Sequence, residues 1–229
     1  MALYAIGDLH LSLGTDKPMD VFGGRWEGYI DKIIAGFSVM GPEDTCVICG
    51  DLSWASGLSE SRKDFLFVDS LPGDKIVLKG NHDFWWNTVS KINRFFEKEG
   101  ITGIRILHNN CYGYGDTAIC GTRGWFYEEE SDSDFDRRIL NRELMRLEVS
   151  LKAAGSCDKL CFLHYPPVYK QYVCPEIIDM MHKYQVKKCF YGHIHGIGHK
   201  YAQEGLVEGI EFRLVSADHL NFRPLKVAD

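Results

Sequence analysis

No apolar run in this chain approaches the ~18 residues that a membrane span requires, so the sequence predicts no membrane-crossing helix. No stretch is rich in proline, glycine or serine, no segment repeats at a solenoid period, and no low-complexity run interrupts the pattern. Nothing is left to serve as a linker. A length of 229 residues with 45% hydrophobic content is expected to form one domain over residues 1–229 with a full core. Positive charge is also short: 26 Lys and Arg face 32 Asp and Glu, for a formal net charge of −6. That balance gives no electrostatic footprint for nucleic acid or an anionic membrane, so a polyanionic partner is disfavoured. A basic segment followed by an apolar one is missing ahead of Leu3, and the expected location is the cytoplasm. The eight cysteines then read as reduced thiols packed as small hydrophobes. Cys46-Val47-Ile48-Cys49 has no second Cys-x-x-Cys to complete a zinc site, and on a strand its two thiols face opposite sides.

What is present is a series of five polar motifs: Asp8-Leu9-His10, Gly50-Asp51, Gly80-Asn81-His82-Asp83, His164 ahead of Tyr165-Pro166-Pro167, and Gly192-His193-Ile194-His195. Each follows an apolar run that reads as a buried strand, at residues 3–7, 46–50, 76–80, 160–163 and 188–191. Strand ends are where open α/β sheets bind ligands. Asp8, His10, Asp51, Asn81, His164, His193 and His195 offer seven oxygen and nitrogen donors. That is too many for one ion and enough for two divalent ions bridged by a carboxylate. Mixed imidazole and carboxylate donors suit Mn²⁺, Fe or Zn²⁺ better than Mg²⁺, and the lack of thiolate argues against a structural zinc. Two such ions about 3.5–4 Å apart hold a phosphate between them, generate hydroxide at neutral pH, and neutralise the attacking and leaving oxygens of an in-line displacement. Gly50, Gly80 and Gly192 each precede a donor, as expected where backbone passes close to a metal.

The five motifs, in this order, resemble the calcineurin-like metallophosphoesterase family, whose pattern is D-x-H, G-D, G-N-H-D/E, H and G-H-x-H. The resemblance implies Asp8, His10 and His195 on one metal, Asn81, His164 and His193 on the other, and Asp51 between them. It leaves His82 unliganded as the catalytic histidine. Because His82 follows Asn81, anchoring Asn81 brings the imidazole to the bound phosphate, where it protonates the leaving oxygen or stabilises developing charge. Asp83 is the second candidate catalytic residue, as an orienter of His82, and Asn81 and Arg123 are the candidate substrate contacts. The loop at 17–20 and Ser216-Ala217-Asp218 further resemble a bacterial branch of predicted phosphohydrolases, which carries no substrate.

Amphipathic stretches at 26–40, 59–70 and 88–98 predict helices alternating with strands. Beyond residue 100, short strands at 104–108, 118–121, 199–202 and 210–215 predict a second sheet that is partly antiparallel. The expected fold is a four-layer α/β/β/α sandwich with two mixed sheets, the layering the resemblance also implies. The segment 123–151 begins Arg123-Gly124-Trp125-Phe126-Tyr127 and runs through an acidic block at 128–136 into a long helix. Arg123 reads either as a contact for a substrate anion or as a partner of nearby Glu residues. Trp54, Trp85, Trp86 and Tyr165 read as walls of a pocket for a planar group or as packing. His108, His182, His199 and His219 lie outside the motifs and read as ordinary polar residues. The function expected is a dinuclear-metal phosphohydrolase acting on a small phosphomonoester or phosphodiester. The alternative is a binding scaffold that keeps the fold without the reaction. The complete donor set with His82 favours the enzyme, because function lives in the site and not in the fold.

Overall fold

The computed structural model describes residues 1–126 and 134–229. Tyr127 and most of the acidic block at 128–136 lie outside the described residues. The strands are β1 (Leu3–Ile6), β2 (Thr45–Ile48), β3 (Asp74–Val77), β4 (Ile104–Ile106), β5 (Tyr112–Tyr114), β6 (Thr117–Thr122), β7 (Asp158–Leu163), β8 (Val168–Tyr169), β9 (Tyr172–Val173), β10 (Lys188–Tyr191), β11 (Gly205–Val207), β12 (Ile210–Leu214) and β13 (Leu225–Ala228). The helices are α1 (Tyr29–Phe37), α2 (Arg62–Ser70), α3 (Val89–Glu99), α4 (Asp134–Ala153) and α5 (Pro175–Lys183).

Sheet one runs β13-β1-β2-β3-β4 and sheet two runs β11-β12-β10-β7-β6-β5. Each has a parallel centre. Strands β1 to β4 are parallel with β13 antiparallel at the edge, and β6, β7, β10 and β12 are parallel between antiparallel β5 and β11. Parallel strands buried on both faces read as continuous apolar runs, and β1, β2 and the ends of β7 and β10 are buried at every position. Alternation then divides the side chains. Val47 and Cys49 join Leu3, Ala5 and Ile76 against Leu160, Phe162 and Phe190 of sheet two, whereas Cys46 and Ile48 pack with Ile33, Phe37, Phe65 and Ile92 of the helices. The two cysteines of Cys46-x-x-Cys49 thus face different layers. On the outer face of sheet two, Leu140, Leu147 and Leu151 of α4 meet Ile177 and Met181 of α5. Four layers result, as expected.

Helix signals are local. Gly100 ends α3 at φ 72°, its N–H reaching the Glu97 and Phe96 carbonyls, and Pro175 opens α5 where a missing N–H costs nothing. One expected strand, 199–202, is corrected: residues 199–201 lie in a 3₁₀ turn, Gly196–Tyr201, and Ala202 after it makes only an isolated bridge to Tyr169. Ile197 and Tyr201 are exposed there, so no apolar face exists for a sheet to bury. Strand β13 returns the chain to pair with β1, and α5 covers sheet two; neither has a motif that marks it.

Candidate functional site

The donors converge where the C-terminal ends of the two sheets meet. Asp8 and His10 follow β1, Asp51 follows β2, and Asn81 and His82 follow β3, all from sheet one. His164 follows β7, and His193 and His195 follow β10, from sheet two. Backbone geometry marks the same spot. Asp8 (φ 59°), His10 (φ 46°), Asp51 (φ 49°) and His193 (φ 73°) all occupy the left-handed region. Each such residue costs of order 1–3 kcal/mol and persists only where its surroundings fix it, which is why they cluster at functional sites. The glycines make room. A Cβ on Gly80 would lie 2.0 Å from Asp51 Oδ1, and one on Gly192 would lie 2.5 Å from Asp8 Oδ2. Gly50 alone of the three has positive φ, at 84°.

Two overlapping groups of donor atoms lie within 4.8 Å of one another: Asp8, His10 and His195, and Asp8, Asp51 and His164. Asp51 Oδ2 lies between them, 3.8 Å from His10 Nε2 and 3.5 Å from His164 Nε2. His10 Nε2 and His195 Nε2 are 3.3 Å apart. Asn81 Oδ1 sits 2.6 Å from His164 Nε2 and 2.9 Å from His193 Nδ1.

That last arrangement tests whether a cation fits. His164 Nδ1 lies 2.9 Å from the Cys49 carbonyl and so carries the proton that bonds it. Burial holds His164 down to about 3, and burial holds His193 down to about 2, so both rings are neutral at ordinary pH. The Nε2 of His164 therefore presents a lone pair toward an amide oxygen that presents lone pairs of its own. Acceptors facing acceptors at hydrogen-bond distance are the chemistry of a metal ligand set. Carboxylates repeat the point. Burial pushes Asp8 up to about 8 against the pull of His195, Asp51 adds to the rise, and burial raises Asp51 as well. A divalent cation supplies the charge that these buried groups lack.

Asp218 was not among the expected site residues. His195 Nδ1 donates to Asp218 Oδ1 at 2.9 Å, and the Gly196 N–H donates to Oδ2 at 3.0 Å. Burial opposes charge on His195, but the Asp218 bond and the Asp8, Asp218 and Asp51 charges outweigh it and raise the ring to about 9. The signal was available: Asp218 follows β12 as the other donors follow their strands. A carboxylate on the far nitrogen orients the imidazole and directs Nε2 to the site. Asp218→Asn is expected to weaken divalent-ion affinity by about 10–100-fold, measured by titration of metal-free protein. An unchanged affinity would make Asp218 irrelevant to the site.

Asp83 is corrected. It does not reach the His82 ring, because its two oxygens accept the N–H groups of Asp51 (2.9 Å), Leu52 (2.9 Å), Ser53 (3.3 Å), Gly80 (2.8 Å) and Trp85 Nε1 (2.8 Å). It clamps the Gly50-Asp51 loop to the Gly80-Asn81 loop. The His82 ring instead tilts over Trp54 at 4.3 Å, with His10 at 5.7 Å, and it belongs to neither donor group. His82, His10 and His195 line a cleft of about 390 Å³ with Met19, Phe22, Trp26 and Trp54. Trp54 therefore walls the site, stacked on His10 at 5.0 Å. Tyr165 packs on His193 at 4.4 Å, whereas Trp85 is core against Phe65 and Trp86 lines a different cavity. Arg123 pairs with buried Glu143 at 3.4 Å, outside the donor cluster.

Residues 1–196 match the family described as calcineurin-like phosphoesterase. No curated protein matches the chain in sequence. Solved structures that share its fold include the following three. A protein of unknown function from Aquifex aeolicus, AQ665, is 18% identical with a TM-score of 0.53, over 98% of this chain and 95% of that one. Phosphopantetheinyl hydrolase from Mycobacterium tuberculosis is 14% identical with a TM-score of 0.60, over 99% of this chain and 95% of that one. The protein TT1561 of Thermus thermophilus is 10% identical with a TM-score of 0.58, over 99% of this chain and 97% of that one. Motifs, donor geometry and a match that spans all five motifs agree, and the chain belongs to the calcineurin-like phosphoesterase family.

Proposed function

We propose that this chain is a phosphohydrolase that uses two divalent ions, Mn²⁺, Fe or Zn²⁺, to cleave a small phosphomonoester or phosphodiester. The observation that carries the reading is the meeting of Asn81 Oδ1, His164 Nε2 and His193 Nδ1 beside Asp51. Asp8, His10 and His195 would hold one ion, Asn81, His164 and His193 the other, and Asp51 would touch both. When bound, the pair supplies Lewis acidity that polarises a phosphoryl group and acidifies water near neutral pH.

The protein's own residues do the rest. Asp83 ties together the two loops bearing Asp51 and Asn81, and the Asp51 carboxylate accepts the His82 backbone N–H at 2.8 Å, so His82 is held relative to the donors. Burial lowers the His82 imidazole below its ordinary value, with Asp51 pulling the other way. A phosphate dianion drawn to the site restores the proton's affinity, and His82 then gives that proton to the departing oxygen. Trp54, Phe22 and Met19 give the cleft an apolar flank beside His82 that suits an apolar or planar leaving group. All eight cysteines are free thiols and six are buried, which suits the reducing cytoplasm. No described helix is long and apolar enough to cross a membrane.

Two experiments follow. Reconstitution with Mn²⁺ and assay on an aryl phosphomonoester, a bis-aryl diester and cyclic nucleotides should give turnover on at least one. No turnover on any with metal bound would favour a binding scaffold. Metal uptake should also release protons: burial raises Asp8 and the neighbouring carboxylates raise His195, so the pair together holds proton at neutral pH that a cation must displace. Roughly one to two protons per chain should appear at pH 7, read by calorimetry in buffers of different ionisation enthalpy. Affinity should rise as pH climbs toward 9, because both pKa values are raised. A pH-independent affinity from 6 to 9 would contradict the assignment.

A further inference from the structure

Three cations surround one carboxylate in a cavity of about 210 Å³ beside the donor cluster. Lys79 comes from the end of β3, His108 from beyond β4, Arg123 from beyond β6, and Glu143 and Arg146 from α4. These are the same sheet ends that carry the candidate ligands. Lys79 stands two residues before Asn81, and the Arg123 carbonyl accepts the N–H groups of His164 (3.2 Å) and Tyr165 (2.9 Å).

Glu143 is 1% exposed and already engaged. It accepts from Thr122 Oγ1 at 2.6 Å, Arg146 Nη1 at 2.6 Å and Arg123 Nη2 at 3.4 Å. One carboxylate does not neutralise three cations. Lys79 has no carboxylate within 4.0 Å among the described residues; burial and the Arg123 charge pull its pKa down, against the weaker pull of the more distant Asp83 and Glu143. The Nε of Arg123 is buried with no hydrogen-bond partner. Buried donors are nearly always satisfied, and a guanidinium fork beside an ammonium fits the oxygens of a phosphate. The surplus of two positive charges matches a dianion better than a single carboxylate. Repulsion excludes a metal cation.

We infer that this cavity is an oxyanion site that holds a second phosphate group of the substrate, away from the group that is cleaved. The word substrate rests on the phosphoesterase reading; anion binding does not. The first arm of the test uses full-length protein freed of metal with EDTA and titrated with inorganic phosphate by calorimetry. Wild type should bind, and Lys79→Met should weaken binding about 10-fold, the worth of one charge-assisted contact. Lys79 is the right probe because its removal strands no buried carboxylate, whereas Arg123→Ala leaves Glu143 short of a partner and risks the fold. Arg94→Gln, an equal charge loss on an exposed helix face, should not change binding. Absence of phosphate binding, or equal binding by Lys79→Met, overturns the site. The second arm compares the Mn²⁺-loaded enzyme on an alkanediol bisphosphate and the matching monophosphate. The bisphosphate should show a KM about 10-fold lower in wild type, and Lys79→Met should erase the difference. Equal KM values in wild type would assign the cavity to free phosphate and overturn the substrate half. No hydrolysis of either compound would sink the phosphoesterase reading, while the first arm would still decide the anion site.

Discussion

Asp51→Ala should leave the protein with neither ion after reconstitution in excess Mn²⁺ and lower turnover by at least about 10³-fold. The magnitude follows because Lewis-acid stabilisation is worth several kcal/mol and each 1.36 kcal/mol is tenfold in rate. The position explains why one residue has so wide an effect. Its Oδ2 lies within 3.8 Å of His10 and 3.5 Å of His164, the two sides of the cluster. Its Oδ1 also accepts the His82 backbone N–H, so the His82 ring would lose its anchor along with any bound ions. His10→Ala and His164→Ala each touch one side and should each weaken mainly one ion. Elemental analysis separates the cases. An Asp51→Ala protein that retains one tightly held ion would show that the carboxylate does not join the two halves.

His82→Ala should keep both ions and lose roughly 10²–10⁴-fold in turnover, the usual worth of a placed proton donor. The ring lies over Trp54 and contributes no atom to either donor group, so the metal content has no reason to change. The loss should depend on what departs. An alkyl alkoxide needs the proton and should show the full effect, whereas a nitrophenolate leaves without one and should show little. If both substrates lose equally, His82 acts by stabilising charge on the phosphoryl oxygens instead. If the variant comes out metal-poor, His82 is itself a ligand.

Much of this could be read from the chain because its signals are local. A ligand at a strand end needs an apolar run before it and often a glycine beside it, and both are visible in a window of a few residues. The left-handed φ values of Asp8, His10, Asp51 and His193 fit residue types that tolerate that region. What stayed hidden depends on contacts between distant segments. Asp218 meets His195 across 23 positions: its place after β12 marks it as a strand-end residue but does not name its partner. Asp83 looked like a partner for its neighbour His82, but five N–H groups from the Asp51 and Asn81 loops and Trp85 claim it. Arg123 and Glu143 lie 20 apart, so spacing alone left the pairing open. The 3₁₀ turn at 196–201 fooled a pattern reading because Tyr201 and Ala202 look like strand residues, while their neighbours have no layer to pack on.

The seam between the sheets also has a history in time. Asp8, His10, Asp51 and Asn81 belong to the first 81 residues, and the histidines that complete either group, 164, 193 and 195, come after a gap of more than eighty. Translation at ~5–20 residues per second leaves the early half outside the ribosome for several seconds before its partners exist. During that interval the nascent chain offers two carboxylates, one imidazole and one amide, a weak and unselective trap. Strong capture waits for β7 and β10 to dock. Any divalent ion held by this cluster would therefore be recruited late, by a nearly finished protein, and the choice among metals would fall to a preformed cage instead of an open peptide.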